Sequence, residues 1–88
     1  MSNASIIHRL TILADDYEQG RATLGNIASE IVGQAEALEG MEYRKIKEVQ
    51  LVQAQIVHAI ESGREQEVDE QSILLWLRDW IAEVPLDL

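Results

Sequence analysis

The side chains most able to do chemistry in this chain are its carboxylates. Residues 61–70 (Glu-Ser-Gly-Arg-Glu-Gln-Glu-Val-Asp-Glu) set five of them against one arginine. Carboxylates ligate metals, exchange protons with substrates or pair with cations on a partner, and their spacing decides between these roles. Metal ligation is disfavoured. His8 and His58 stand alone, without the i, i+4 histidine or carboxylate spacing that zinc and di-iron sites use. Asp15 and Asp16 are adjacent and point roughly 100° apart on a helix. Asp69-Glu70 suit the start of a helix, not a calcium loop. No metal and no other cofactor is expected. Nucleophilic catalysis lacks its parts as well: there is no cysteine, no Gly-x-Ser-x-Gly, and no base beside Ser5, Ser29, Ser62 or Ser72. Gly20-Arg21-Ala22-Thr23 lacks the lysine and the preceding strand of a phosphate loop. The chain reads as a non-enzyme, which leaves cation pairing as the role of its acids.

Composition narrows the partner. A formal charge of −9 argues against nucleic acid or an anionic membrane as the primary ligand, because phosphate binding needs a basic patch. It fits a basic protein partner, mimicry of nucleic-acid charge, or solubility alone. A hydrophobic fraction of 47% excludes a disordered acidic tail. Eighty-eight residues make a single domain. Such a domain buries only roughly two thirds of its unfolded surface, so its stability is modest unless it self-associates. Phe is absent, so Leu, Ile, Val and Ala must fill the core. The missing cysteines exclude disulfides. No apolar run approaches the roughly 18 residues of a membrane span, and no signal-peptide pattern opens the chain, so a cytoplasmic location is expected. Ser2-Asn3-Ala4 reads equally as a native start or as a cloning remnant.

The elements that must position the acids are helices. Periodicity predicts four of them, over about residues 5–19, 23–38, 43–61 and 69–84, divided by Gly20, Gly40 and Gly63 and closed by Pro85. Ser5, Thr23 and Asp69 are the expected N-caps, with Val68 and Ile73 as a hydrophobic staple. The first helix would bury Ile6, Leu10, Leu13 and Tyr17, flanked by Ile7 and Ala14. The second would bury Leu24, Ile27, Ala28, Ile31, Ala35 and Leu38. The third offers Ile46, Val49, Val52, Ile56, Val57 and Ile60, and the fourth Ile73, Leu74, Leu77, Trp80, Ile81 and Val84, with Trp76 at the edge. Ile12, Leu51 and Leu75 fall on outer faces. Four such helices with short links predict an all-α, antiparallel up-down bundle. A three-helix core and a dimerising hairpin pair are the alternatives.

Two features fit this pattern less simply. Gly25, Ser29, Gly33 and Ala37 recur every fourth residue on the second helix, and an exposed helical glycine costs about 1 kcal/mol relative to alanine. Close approach by another helix, from this chain or from a homodimer partner, is the functional explanation. Ordinary tolerance is the bland one. Gln53 lies at the centre of the third helix's apolar stripe, where an amide either finds hydrogen-bond partners or marks an oligomer seam.

In an up-down bundle the first and third links share one end. That end gathers Asp15, Asp16, Glu18, Glu61, Glu65, Glu67, Asp69 and Glu70 against Arg21 and Arg64, with Arg44, Lys45 and Lys47 towards the other. Asp69 and Glu70 suit a helix N-terminus. Asp15, Asp16 and Glu18 oppose their own helix's dipole, so their placement answers to something other than helix stability. Asp15, Asp16, Glu18, Glu61, Glu65, Glu67 and Glu70 are therefore the candidate partner-binding residues, solvation being the competing account.

Residues 13–38, headed by Asp16-Tyr17-Glu18-Gln19-Gly20-Arg21-Ala22-Thr23-Leu24, resemble small helical bacterial proteins of the colicin-immunity type. That pattern is Asp-Tyr/Phe-x-x-Gly, a short polar link with Ser or Thr, then an amphipathic helix. The resemblance covers about a third of the chain. It implies an acidic helical inhibitor that plugs the cleft of a cognate, often basic, nuclease toxin. Two further readings stand beside it: an anti-defence inhibitor carried by phage or a mobile element, and a self-associating helical adaptor.

Overall fold

The computed structural model describes residues 2–86, which form four α-helices and one short 3-10 turn, with no strand among the described residues. Helix α1 spans Asn3–Glu18, α2 Leu24–Glu36, α3 Tyr43–Glu61 and α4 Glu70–Ala82, with the 3-10 turn at Glu65–Glu67. All four run up and down. Asn3 at the start of α1 bonds to Glu39 beyond the end of α2 and to Pro85 beyond the end of α4. Gln53 at the middle of α3 reaches Ala28 of α2, and Trp80 of α4 reaches Lys45 of α3. These pairings place α1 antiparallel to α2 and α4, and α3 antiparallel to α2 and α4. The result is the expected antiparallel bundle, about 41 by 26 by 18 Å.

Local chemistry sets the helix ends. Gly20 and Gly63 hold φ of +78° and +71°, the left-handed conformation that only glycine adopts without steric cost. Each closes a Schellman turn. Arg21 N–H donates to the Asp16 carbonyl and Gly20 N–H to that of Tyr17; Arg64 N–H donates to Ala59 and Gly63 N–H to Ile60. Thr23 caps α2 reciprocally with Asn26. Asp69 caps α4, accepting from the Gln71 N–H and the Ser72 hydroxyl.

Some boundaries differ from expectation. α1 is capped by Ser2, whose hydroxyl accepts from Ser5 N–H, so Ser5 lies inside the helix and the helix starts earlier than 5. Both α2 and α4 stop two residues short of the predicted 38 and 84. Each ends in i→i−3 bonds: Leu38 to Ala35, and Val84 to Ile81 just before Pro85. Proline supplies no N–H and disfavours helical backbone before it, which tightens that last turn of α4.

The core is largely the predicted set for three helices, with Leu38, Ile73 and Ile81 only half-buried at its edge. Ile6, Leu10, Ile27, Ile31, Val49, Ile56 and Leu77 are almost wholly excluded from solvent. α3 departs from its pattern: only Val49 and Ile56 of its stripe are buried, and Val57 is 37% exposed. The cause is how α3 is flanked. Its backbone packs closely on α2, whereas α4 meets it through two indoles. Trp76 donates to the Glu48 carboxylate at 2.6 Å and Trp80 to the Lys45 carbonyl at 3.1 Å, and a Lys45–Glu83 ion pair closes the same seam. Ile46, Val52 and Ile60 are therefore half-covered.

Asn3 is the only buried polar or charged residue among the described residues. Its amide donates to the Glu39 and Pro85 carbonyls at 2.8 Å each and accepts from Glu39 N–H at 2.9 Å. A residue that reads from the sequence equally as native start or as cloning remnant is a clamp joining three helices. No helix among the described residues is long and apolar enough to cross a membrane.

Candidate functional site

The end that carries the α1–α2 link and the α3–α4 link gathers most of the predicted acids. Glu18, Glu65 and Glu70 line one open groove of about 410 Å³, with Tyr17, Leu24 and Gln66. The two Schellman turns make this possible: Gly20 folds the chain back from α1, and Gly63 turns it from α3 into the Glu65–Glu67 turn facing it.

The acids divide into two classes by their partners. Arg78 of α4 donates to Asp15 at 3.0 Å and to Glu18 at 2.9 Å. Arg21 donates to Asp16 at 3.1 Å. These arginines compensate the carboxylates that oppose the α1 dipole. Glu61, Glu65, Glu67 and Glu70 are exposed and have no ion pair among the described residues. Glu67 lies on the same 3-10 turn as Glu65, while Glu61 borders a different groove. The bonds to Asp15 and Glu18 hold the Arg78 guanidinium above its ordinary pKa, Asp15 contributing most.

Tyr17 forms the floor of the acidic end. It is 8% exposed, and its hydroxyl is sealed from solvent with no hydrogen-bond partner among the described residues. Burial, reinforced by the negative charges of Glu70 and Asp69, pushes this phenol above its ordinary pKa of 10.0. It therefore stays protonated at neutral pH, carrying both a donor and an unused acceptor.

The Gly25, Ser29, Gly33 and Ala37 face is exposed along its whole length. A Cβ on Gly33 would meet nothing within 4 Å, and one on Gly25 only the Thr23 hydroxyl at 3.5 Å. No helix of this chain uses the face for close approach, which corrects the intramolecular form of that expectation. α2 and α3 instead leave a shallow groove of about 260 Å³, lined by Gly25, Ser29, Gln53, Val57, Ile60 and Glu61. Gln53 is the satisfied amide of the bland account, donating to the Ala28 carbonyl at 2.6 Å.

At the opposite end Arg44 pairs with Glu42 and Lys45 with Glu83, so two of the three cations there are spent locally. Lys47 sits 5.9 Å from the centre of the Tyr43 ring. Among the described residues no group of three or more His, Cys, Asp or Glu is placed to hold a metal ion.

Three side chains that matter here escape a reading by sequence pattern. Arg78 was not marked, because the acidic last turn of α1 reads as surface for a partner and its cation comes from a distant helix. Nothing in the spacing marked Asn3. Tyr17 reads only as core, since a missing hydrogen-bond partner has no sequence signature. No family model, curated protein or solved structure matches this chain.

Proposed function

We propose that this protein is a non-enzymatic inhibitor of the immunity type, which neutralises a basic toxin or nuclease through the acidic end of its bundle. One observation carries the reading: the acids of that end are sorted. Asp15, Asp16 and Glu18 have intramolecular cations, whereas Glu61, Glu65, Glu67 and Glu70 have none among the described residues. Glu65 and Glu70 line one groove, Glu67 shares the turn of Glu65, and Glu61 borders the neighbouring groove, so this unpaired charge lies together at one end of the bundle. Such an end steers a cationic partner into contact and penalises wrong partners by like-charge repulsion. The same surface suits an anti-defence inhibitor whose target is a nucleic-acid-binding protein; what separates the two is the partner, not the chemistry.

The test is pull-down of the partner from the source cells, followed by stopped-flow association with any basic protein it captures, across ionic strength. The association rate is expected to fall about tenfold or more between low and high salt. Glu65→Gln, Glu67→Gln and Glu70→Gln together should remove most of that dependence. A salt-independent rate overturns the proposal.

A second reading, self-association, rests on the open face of Gly25, Ser29 and Gly33 beside half-exposed Val57. Sedimentation showing a strict monomer at millimolar concentration removes it.

A further inference from the structure

The acidic end holds more than a charged surface. Tyr17 is buried to more than nine tenths, lines the groove between the α1–α2 link and the Glu65–Glu67 turn, and leaves its hydroxyl without a partner among the described residues. A buried polar group with no hydrogen bond is destabilising, and native structures rarely keep one without use. Glu18 stands on the same groove wall as Tyr17, with Glu65 and Glu70 facing them. A phenol oxygen with an unused lone pair, an aromatic ring and three carboxylates around one opening define the ligand they would recognise. It must be cationic, must donate several hydrogen bonds in different directions, and must present a flat face to a ring.

On these grounds we propose that the groove is a socket for one arginine side chain of the protein partner. The inference rests on the binding role given to the acidic end and names the contact that would anchor it. The guanidinium donates to the Tyr17 oxygen and to the Glu70 and Glu65 carboxylates, and its plane lies against the phenol ring. Lysine fits less well, because its ammonium is a strongly hydrated point charge with neither a fork nor a face. The hydroxyl is closed off in the unbound protein. Glu65, Gln66 and Glu70 are all exposed, and exposed side chains change rotamer within nanoseconds, so an incoming side chain can part them. Arg78 holds Glu18 from the α4 side and keeps that wall in place.

The experiment is an NMR titration of the full chain at low salt with two capped pentapeptides of equal charge. One is acetyl-Lys-Lys-Arg-Lys-Lys-amide and the other has lysine at the centre. The amides of Gly20, Ala22, Glu65 and Gln66 report the site. The arginine peptide should bind about fivefold tighter, the difference of roughly one hydrogen bond. Tyr17→Phe keeps the ring and the fold, verified by circular dichroism, and should reduce the preference by the share of the lost hydroxyl contact. Equal affinities for the two peptides, or an arginine preference undiminished in Tyr17→Phe, overturn the socket. If both peptides bind equally and salt weakens both, the acidic-end reading survives the loss. If neither shifts these amides, the acidic-end reading falls with the socket.

Discussion

Arg78 and Asp15 lie 63 positions apart in sequence and 3.0 Å apart in space. Together with the bond from Arg78 to Glu18, this contact fastens the acidic last turn of α1 to α4. Asp15 and Glu18 are thus both part of the fold and part of the acidic surface. The Arg78 side chain is 35% exposed, so solvent screens the pair and a moderate effect follows. Arg78→Ala should lower unfolding free energy by about 1 kcal/mol, the range for a partly exposed, doubly hydrogen-bonded ion pair. A double-mutant cycle with Asp15→Ala, measured by urea denaturation, should recover part of that loss as coupling. Zero coupling would show that the guanidinium stabilises α1 only by its general charge.

Asn3 should matter more than its position suggests. Asn3→Ala leaves the Glu39 and Pro85 carbonyls and the Glu39 N–H without partners, a loss of about 2–3 kcal/mol. Thermal denaturation reads this directly. Ser2→Ala, which removes only a helix cap, should lose about 1 kcal/mol or less. Equal effects would count against the clamp.

Tyr17→Phe is expected to leave stability unchanged or raise it slightly, because it removes a buried hydroxyl that bonds to nothing. The pH dependence has a definite sign. The phenol pKa is raised in the folded state from 10.0, so the protein holds that proton where the unfolded chain has begun to lose it. The stability from this group is fully present below pH 10 and declines as pH climbs through the folded value. Lys45 is also raised, chiefly by its bond to Glu83. The difference between wild type and Tyr17→Phe isolates the tyrosine. Parallel stability curves between pH 9 and 11 would show that Tyr17 is not desolvated in solution.

Gly33→Ala tests the open face of α2. The position is helical, φ is negative, and a Cβ meets nothing, so alanine should stabilise the fold by about 0.5–1 kcal/mol. If the face docks a second copy, the same substitution should weaken self-association in sedimentation while raising the melting temperature. A substitution that stabilises and leaves association unchanged removes the face from consideration.

The sequence carried the helices and their order because local signals agree: left-handed glycines at 20 and 63, a reciprocal cap at Thr23, and apolar stripes of the right period. It overstated α3, since a stripe records what could be buried and not how much a neighbour covers. The indoles of Trp76 and Trp80 bridge α4 to α3, and Val57 stands partly in water in the shallow groove that α3 forms with α2. The candidate site was legible as charge but not as pairing. Which carboxylates meet an arginine depends on the rotation of α4 against α1, and no local pattern records that. The phenol of Tyr17 illustrates the same limit.

The bond from Asn3 to Pro85 brings residues 82 positions apart to one end of the molecule, opposite the acidic groove. In topological terms the chain is almost a closed ring. A short linker joining Ser2 to Leu86 would complete it, and a circular permutant so joined and reopened at the exposed α2–α3 link should retain the bundle. The same geometry decides orientation on a surface. A tether attached beside Asn3 or Pro85 leaves from the clamp side, so an immobilised molecule presents its carboxylates outward to whatever is passed over it.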